Sequence, residues 1–221
     1  MKNYALKIGA IFGFISVITT LGVHLIPVQA STFEESVMLF TNSTYIFSRW
    51  WIVFHCIAVF ISMTGVFIAI NTPFNIHAKL GLMSFSVFSW TEIARMLLSL
   101  TYLFDLRRNY VEETDPVIRT ILRTDIQNFT LIGTGLFTLF LLGFALGNLF
   151  YGIELAKTKG FGKWVGYLLI FWFATGMHGL YSTFQPAAAV DGFYEIFNIT
   201  FQPAVRGLTA YWLLTQISPS K

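Results

Sequence analysis

Glu92 and Arg95 stand three residues apart inside one apolar run, and Arg206 stands inside another, three residues after Pro203. Residues three apart share a helix face, so a carboxylate and a guanidinium at that spacing can pair. An ionisable group at the centre of a bilayer costs roughly 2.5–3.5 kcal/mol on insertion scales, so each must face protein or water. Counted at 1.5 Å per residue, all three fall roughly 14–20 Å below the outer edge of their runs, where they can meet. Pro203 removes a backbone donor and crowds the turn before it, so the helix is expected to kink and free a carbonyl near Ile199, beside Gln202. Broken helices with polar groups at mid-depth are how many transport proteins build a substrate site. The plainer reading is a salt bridge that fixes helix register, and on these residues alone it has a slight edge.

The histidines form a second set. His55 and His178 both fall roughly 7–9 Å below the outer edge, and His24 only about 3 Å below it. Two histidines on different helices can hold a haem iron, and three nitrogens with an added carboxylate suit zinc or non-haem iron. His24, His55 and His178 are therefore the metal candidates, although no His-x-x-x-His or Glu-x-x-His spacing accompanies them. His77 lies in an inner loop, too far away to complete a second haem pair. Histidines bonded within a bundle, or lining a wet cavity, are the commoner outcome.

Such residues need helices to carry them across a membrane, and the composition supplies these. The 221 residues are 55% hydrophobic and 18% aromatic but only 11% charged, with a mean hydropathy of +0.66. A soluble domain carries roughly 25% charged residues, so an ordinary soluble fold is excluded. A disordered chain is excluded by the same figures, and a disulfide scaffold by the single cysteine, Cys56. The net charge of +3 does not point to nucleic acid, because the cations are too scattered to track a phosphate backbone.

Crossing the hydrocarbon layer takes about 20 apolar helical residues. Six runs qualify, over residues 4–26, 50–70, 80–104, 129–151, 164–184 and 193–215. The expectation is an all-α polytopic transmembrane bundle, a single integral membrane domain over 1–221 with short connectors. The first run resembles a secretory signal ending at Val28-Gln29-Ala30, but its apolar stretch exceeds the usual 7–15 residues of such signals, which favours a retained span. With the N-terminus inside, all seven lysines (Lys2, Lys7, Lys79, Lys157, Lys159, Lys163 and Lys221) fall on the inner side. Acidic segments with Glu34, Glu35, Glu112, Glu113, Asp115, Asp191 and Glu195 then fall outside. Arg49, Arg107, Arg108, Arg119 and Arg123 run against this N-in, C-in pattern, and five acids in the 105–125 connector offset four of them.

Two outer segments read as short amphipathic helices. Asp115-Pro116 starts one that lies on the membrane surface or extends the fourth span, and residues 33–47 supply another. Together they could lid the outer mouth. Small-residue pairs at Gly9/Gly13, Gly143/Gly147 and Gly162/Gly166 suit internal helix packing more than dimer contacts. Tryptophans and tyrosines gather at both predicted edges as an aromatic belt, and the 24 phenylalanines read as packing or lipid-facing residues. Asn42, Asn128 and Asn198 begin three outer sequons, which matter only in a glycosylating organism. No phosphate loop, nucleophile elbow, His-Glu-x-x-His or Cys-x-x-Cys is present.

The layout, with an N-terminal span, Arg49-Trp50-Trp51 leading to His55, and a basic loop before Gly160-Phe161-Gly162-Lys163-Trp164-Val165-Gly166-Tyr167, resembles that of small six-span bacterial integral membrane proteins of unknown function. The resemblance implies a bacterial inner (cytoplasmic) membrane and supplies no catalytic residues. Three functions are compatible with the whole. The first is an outward-opening polar pocket of Glu92, Arg95, Gln202, Arg206, His55 and His178 that binds or translocates a small polar or anionic ligand. The second is an accessory or structural subunit of a larger membrane complex, or a homo-oligomer, in which charges and glycines fix packing. The third is a haem- or metal-binding redox protein using His55 and His178. The lipid bilayer is the partner common to all three.

Overall fold

The structure is a computed structural model describing residues 1–26, 28, 30–184 and 191–217, with the backbone alone of 182–184 and 191–195. Gln29 of the Val28-Gln29-Ala30 motif and Lys221 lie outside the described residues, as do the side chains of Asp191, Tyr194 and Glu195. Among the described residues every regular element is helical. In chain order these are α1 (Lys2–Leu25), α2 (Phe33–Met38), a 3-10 turn (Leu39–Thr41), α3 (Ser43–Ile70), α4 (Ile76–Leu100), α5 (Tyr102–Glu112), α6 (Pro116–Ala156), α7 (Phe161–Phe184) and α8 (Asp191–Thr215).

Local chemistry sets the starts. Thr32, Asn42 and Asn75 each accept from the backbone N–H three residues on, capping α2, α3 and α4. Asp115 accepts from Val117 N and Ile118 N, with Pro116 in the first turn of α6. No proline interrupts the 41 residues of α6, so the expected amphipathic segment is the first part of one continuous helix about 60 Å long at 1.5 Å per residue. The third apolar run is a register earlier than expected. Asn75 starts α4 at Ile76, and the helix breaks at Thr101 (φ −111°, ψ −80°). The chain resumes as α5, an amphipathic helix that buries Leu103, Leu106 and Tyr110.

α1, α3 and α6 are each long and apolar enough to cross a membrane. The long helices pack in the spatial order α8, α1, α3, α4, α6, α7, and among the described residues α7 meets α8 at few points. The arrangement is a ring with one slack seam. Its core joins Leu6, Val59, Phe85, Phe88, Tyr151 and Leu213, while a smaller core of Val37, Leu103, Tyr110, Ile126 and Phe129 closes the end that carries α2 and α5.

The six glycines of the small-residue pairs face neighbouring elements of the same chain. A Cβ on Gly9 would lie 2.8 Å from Gly65 Cα, and one on Gly143 would lie 2.8 Å from Phe88 N and 2.9 Å from Ser84 O. At these crossings backbone meets backbone, and side chains are excluded. Gly160, at φ +68°, makes the turn from α6 to α7 that other residues rarely adopt. Beside it a polar clasp ties α4 to α6: Glu154 lies 2.8 Å from His77 Nδ1 and 2.6 Å from Lys157 Nζ, and accepts from Asn75 Nδ2 at 3.0 Å. His77, expected in a loop, is thus in the first turn of α4.

Candidate functional site

The antiparallel alternation of the long helices brings six different segments to one cavity of about 460 Å3. Thr20 and His24 come from the C-terminal part of α1, His55 and Cys56 from α3, and Glu92 and Arg95 from α4. α6 contributes Phe137, Phe140 and Phe144, α7 contributes Trp172 and Thr175, and α8 contributes Asn198, Gln202 and Arg206. The volume lies within the roughly 300–1,000 Å3 of small-molecule sites. Five of the six residues expected to form a pocket therefore line one. His178 does not: it is exposed on α7, away from the cavity wall.

Glu92 and Arg95 pair as their spacing predicts. Arg95 donates from Nε to Glu92 Oε2 at 2.7 Å and from Nη2 to Oε1 at 2.6 Å, a bidentate fork that fixes both groups. Glu92 is buried, Arg95 retains about a fifth of its exposure, and its guanidinium stands 5.1 Å from the Phe137 ring.

Arg206 is in a different situation. It is only 3% exposed, and its Nε and Nη1 have no hydrogen-bond partner. Expected at a depth where it could meet Glu92 and Arg95, it lines the same cavity but has no ion pair among the described residues; both carboxylate oxygens of Glu92 accept from Arg95. Its guanidinium instead lies 5.1 Å from the Trp172 ring and 5.8 Å from Phe144. Such cation–π contacts are worth about 2 kcal/mol when desolvated, well short of the several kcal/mol needed to strip a guanidinium of water. Arg206 lines the cavity, and a buried guanidinium with no ion pair among the described residues is the feature an incoming anion would satisfy.

The other polar groups are oriented by the bundle. His55 Nδ1 lies 2.8 Å from Thr19 Oγ1, and the Thr19 carbonyl accepts from Trp51 Nε1 at 2.9 Å. His24 faces the Gln202 side chain, which donates to Asn198 Oδ1 at 2.6 Å. Gln202 thus stands one residue before Pro203, which lies within α8 and leaves the Ile199 carbonyl without its usual donor. His24 and His55 share the wall, but among the described residues no three His, Cys, Asp or Glu side chains gather into a metal-binding group.

Several contributors were not singled out from the sequence. Trp172, Phe144 and Phe137 read as packing or belt residues, Asn198 read only as the start of a sequon, and Thr19 carried no signal. Arg49 read as an edge cation. It lines a second cavity of about 210 Å3 that shares Val23 and Ile52 with the first, and its guanidinium lies 4.4 Å from the Tyr45 ring. Arg107 approaches the same tyrosine, donating to its hydroxyl at 3.1 Å. No protein-family model, curated protein or solved structure matches this chain.

Proposed function

We propose that this is a six-span inner-membrane protein with N- and C-termini inside, whose outward-opening cavity binds or translocates a small polar or anionic ligand. The observation that carries the reading is Arg206, a buried guanidinium with two unsatisfied donors on the wall of a ligand-sized cavity. Among the described residues the wall carries Arg95 and Arg206 against one acid, Glu92, which favours an anion.

Support for six spans comes from the lipid-like exteriors of all six long helices. Besides α1, α3 and α6, exposed Met83 and Trp90 on α4, Trp164 and Phe171 on α7, and Leu208 and Leu214 on α8 are large and apolar. The arginines that run against the inside-positive pattern are largely engaged: Arg49 with Tyr45, Arg119 with Tyr110, Arg123 with Phe33, and Arg108 with Asp105. That leaves the lysines to set orientation. The Arg49 cavity, toward the α2 end of the ring, supports an outward opening.

The test is thermal unfolding of detergent-purified protein with phosphate, acetate or laurate. Mass action raises stability by about 2.7 kcal/mol at a hundred times the dissociation constant. At least one anion should stabilise the wild type and fail to stabilise Arg206→Ala. Retention of the whole effect in both Arg206→Ala and Glu92→Gln, with only baseline stability lowered, would refute a pocket built on these charges.

The accessory-subunit reading is favoured by one feature of α6. Nothing lies within 4 Å of a Cβ placed on Gly133 or Gly135, next to exposed Leu131 and Ile132, a face a partner helix could approach closely. Stoichiometric co-purification of another membrane protein after gentle solubilisation, with poor stability alone, would favour it. A monodisperse, stable single chain would favour the binding protein.

A further inference from the structure

We infer that the ligand is a singly charged amphiphile, a carboxylate or similar monoanion joined to an apolar body, with its charged end on Arg206. This rests on the anion-pocket reading above and names the substrate class of that site.

Charge sets the first limit. Glu92 is the one acid in the described wall, and both of its oxygens are held by Arg95. The described wall is left with a single uncompensated guanidinium, that of Arg206, which one negative charge neutralises. A divalent inorganic anion would enter with surplus charge into a low-dielectric chamber, and surplus buried charge is heavily penalised.

The remaining wall sets the second limit. Phe88, Phe137, Phe140, Phe144, Trp172 and Phe197 all face the cavity. Phe88 stacks on Phe140 with centroids 4.7 Å apart, and Phe144 meets Trp172 edge to face at 4.9 Å, so the rings form a connected apolar surface. Against this stand few polar groups: the Arg206 guanidinium, and the amide and imidazole groups of Asn198, Gln202, His24 and His55. A strongly hydrated ion would surrender its water shell for too few hydrogen bonds. An apolar body gains by covering those rings.

Volume sets the third. At about 30 Å3 per water-sized group, 460 Å3 holds roughly fifteen such groups. Acetate or phosphate would leave most of that space empty. A carboxylate carrying some ten to twelve carbons fills it, its head on Arg206 and its body among the phenyl rings.

The experiment uses the full chain in maltoside detergent and 11-bromoundecanoate, whose bromine quenches nearby indole fluorescence. Bromoundecanol supplies the same tail without charge, and acetate and phosphate supply charge without a tail. The acid should quench saturably and raise the unfolding temperature, with an apparent affinity at least tenfold above that of the alcohol or of either small anion. Arg206→Met should weaken it at least tenfold, Arg206→Lys less, and Trp172→Phe should remove the saturable part of the quenching. Equal binding of the alcohol and the acid overturns the inference. Arg206-dependent stabilisation by acetate or phosphate but not by the acid overturns it too, while leaving the anion pocket standing. If no anion of either kind acts through Arg206, both fall. The comparison of acid with alcohol in the wild type holds even where a variant does not fold.

Discussion

Arg206 concentrates the central tension of this protein, because it is buried at 3% exposure with two donors unsatisfied. A residue kept only for stability would not be left so. Replacing it with methionine, which keeps length and removes charge, should raise the stability of the ligand-free protein by about 1–2 kcal/mol, following the gain seen when buried charges become apolar. A loss of similar size in chemical or thermal unfolding would show that the guanidinium holds the fold together. Glu92→Gln acts oppositely, since it strands Arg95. The cost should be about 2 kcal/mol, below the roughly 3–5 of a fully buried pair because Arg95 keeps partial exposure. The Glu92–Arg95 pair was legible from its spacing alone; matched depth set Arg206 with that pair and His55 with His178, and of these only His178 is missing from the cavity wall. Depth does not specify rotation, however, and that is why His178 ended on the exposed face of α7. Trp172 was illegible as a site residue because an indole in an apolar run looks the same whether it meets lipid, core or a cation.

At the scale of elements, hydrophobic length located all six long helices, and cap residues such as Asn75 and Asp115 account for the boundaries that length misjudged. The break at Thr101 was hidden because Tyr102, Leu103 and Phe104 continue the apolar run although they belong to α5. Close helix crossings were visible as small-residue spacings, yet only the packing distinguishes their roles. Gly143 lies against the α4 backbone, whereas Gly133 faces open space. Gly143→Val should therefore cost about 2 kcal/mol or more through overpacking that backbone cannot relieve. Gly133→Ala should stabilise by about 0.5–1 kcal/mol, the helix-propensity gain of alanine over glycine. Matched unfolding curves for the two variants test the assignment of faces, and similar losses at both positions would point to a partner packed on Gly133.

For the whole molecule, composition announced helices apolar enough to cross a membrane, as α1, α3 and α6 are, while the ring order and, among the described residues, the sparse contact between α7 and α8 depend on long-range packing that no local pattern encodes. Sidedness is directly measurable because Cys56, the single cysteine, is fully buried and gives a silent background. In intact cells Glu113→Cys should react with a membrane-impermeant maleimide and Lys159→Cys only after permeabilisation; the reverse pattern would invert the topology. A visible spectrum with elemental analysis of the purified protein separates the redox reading. The anion-pocket account expects no Soret band and no stoichiometric metal, and either one, lost in His55→Ala, would bring haem or metal chemistry to the front. The most direct measurement is the unfolding temperature of wild type and Arg206→Met across a concentration series of laurate. The account predicts a rise in the wild type that becomes linear in log concentration above the dissociation constant, and a flat response from a variant that starts out more stable. Parallel rises in the two proteins, or none in either, would contradict a ligand site built on Arg206.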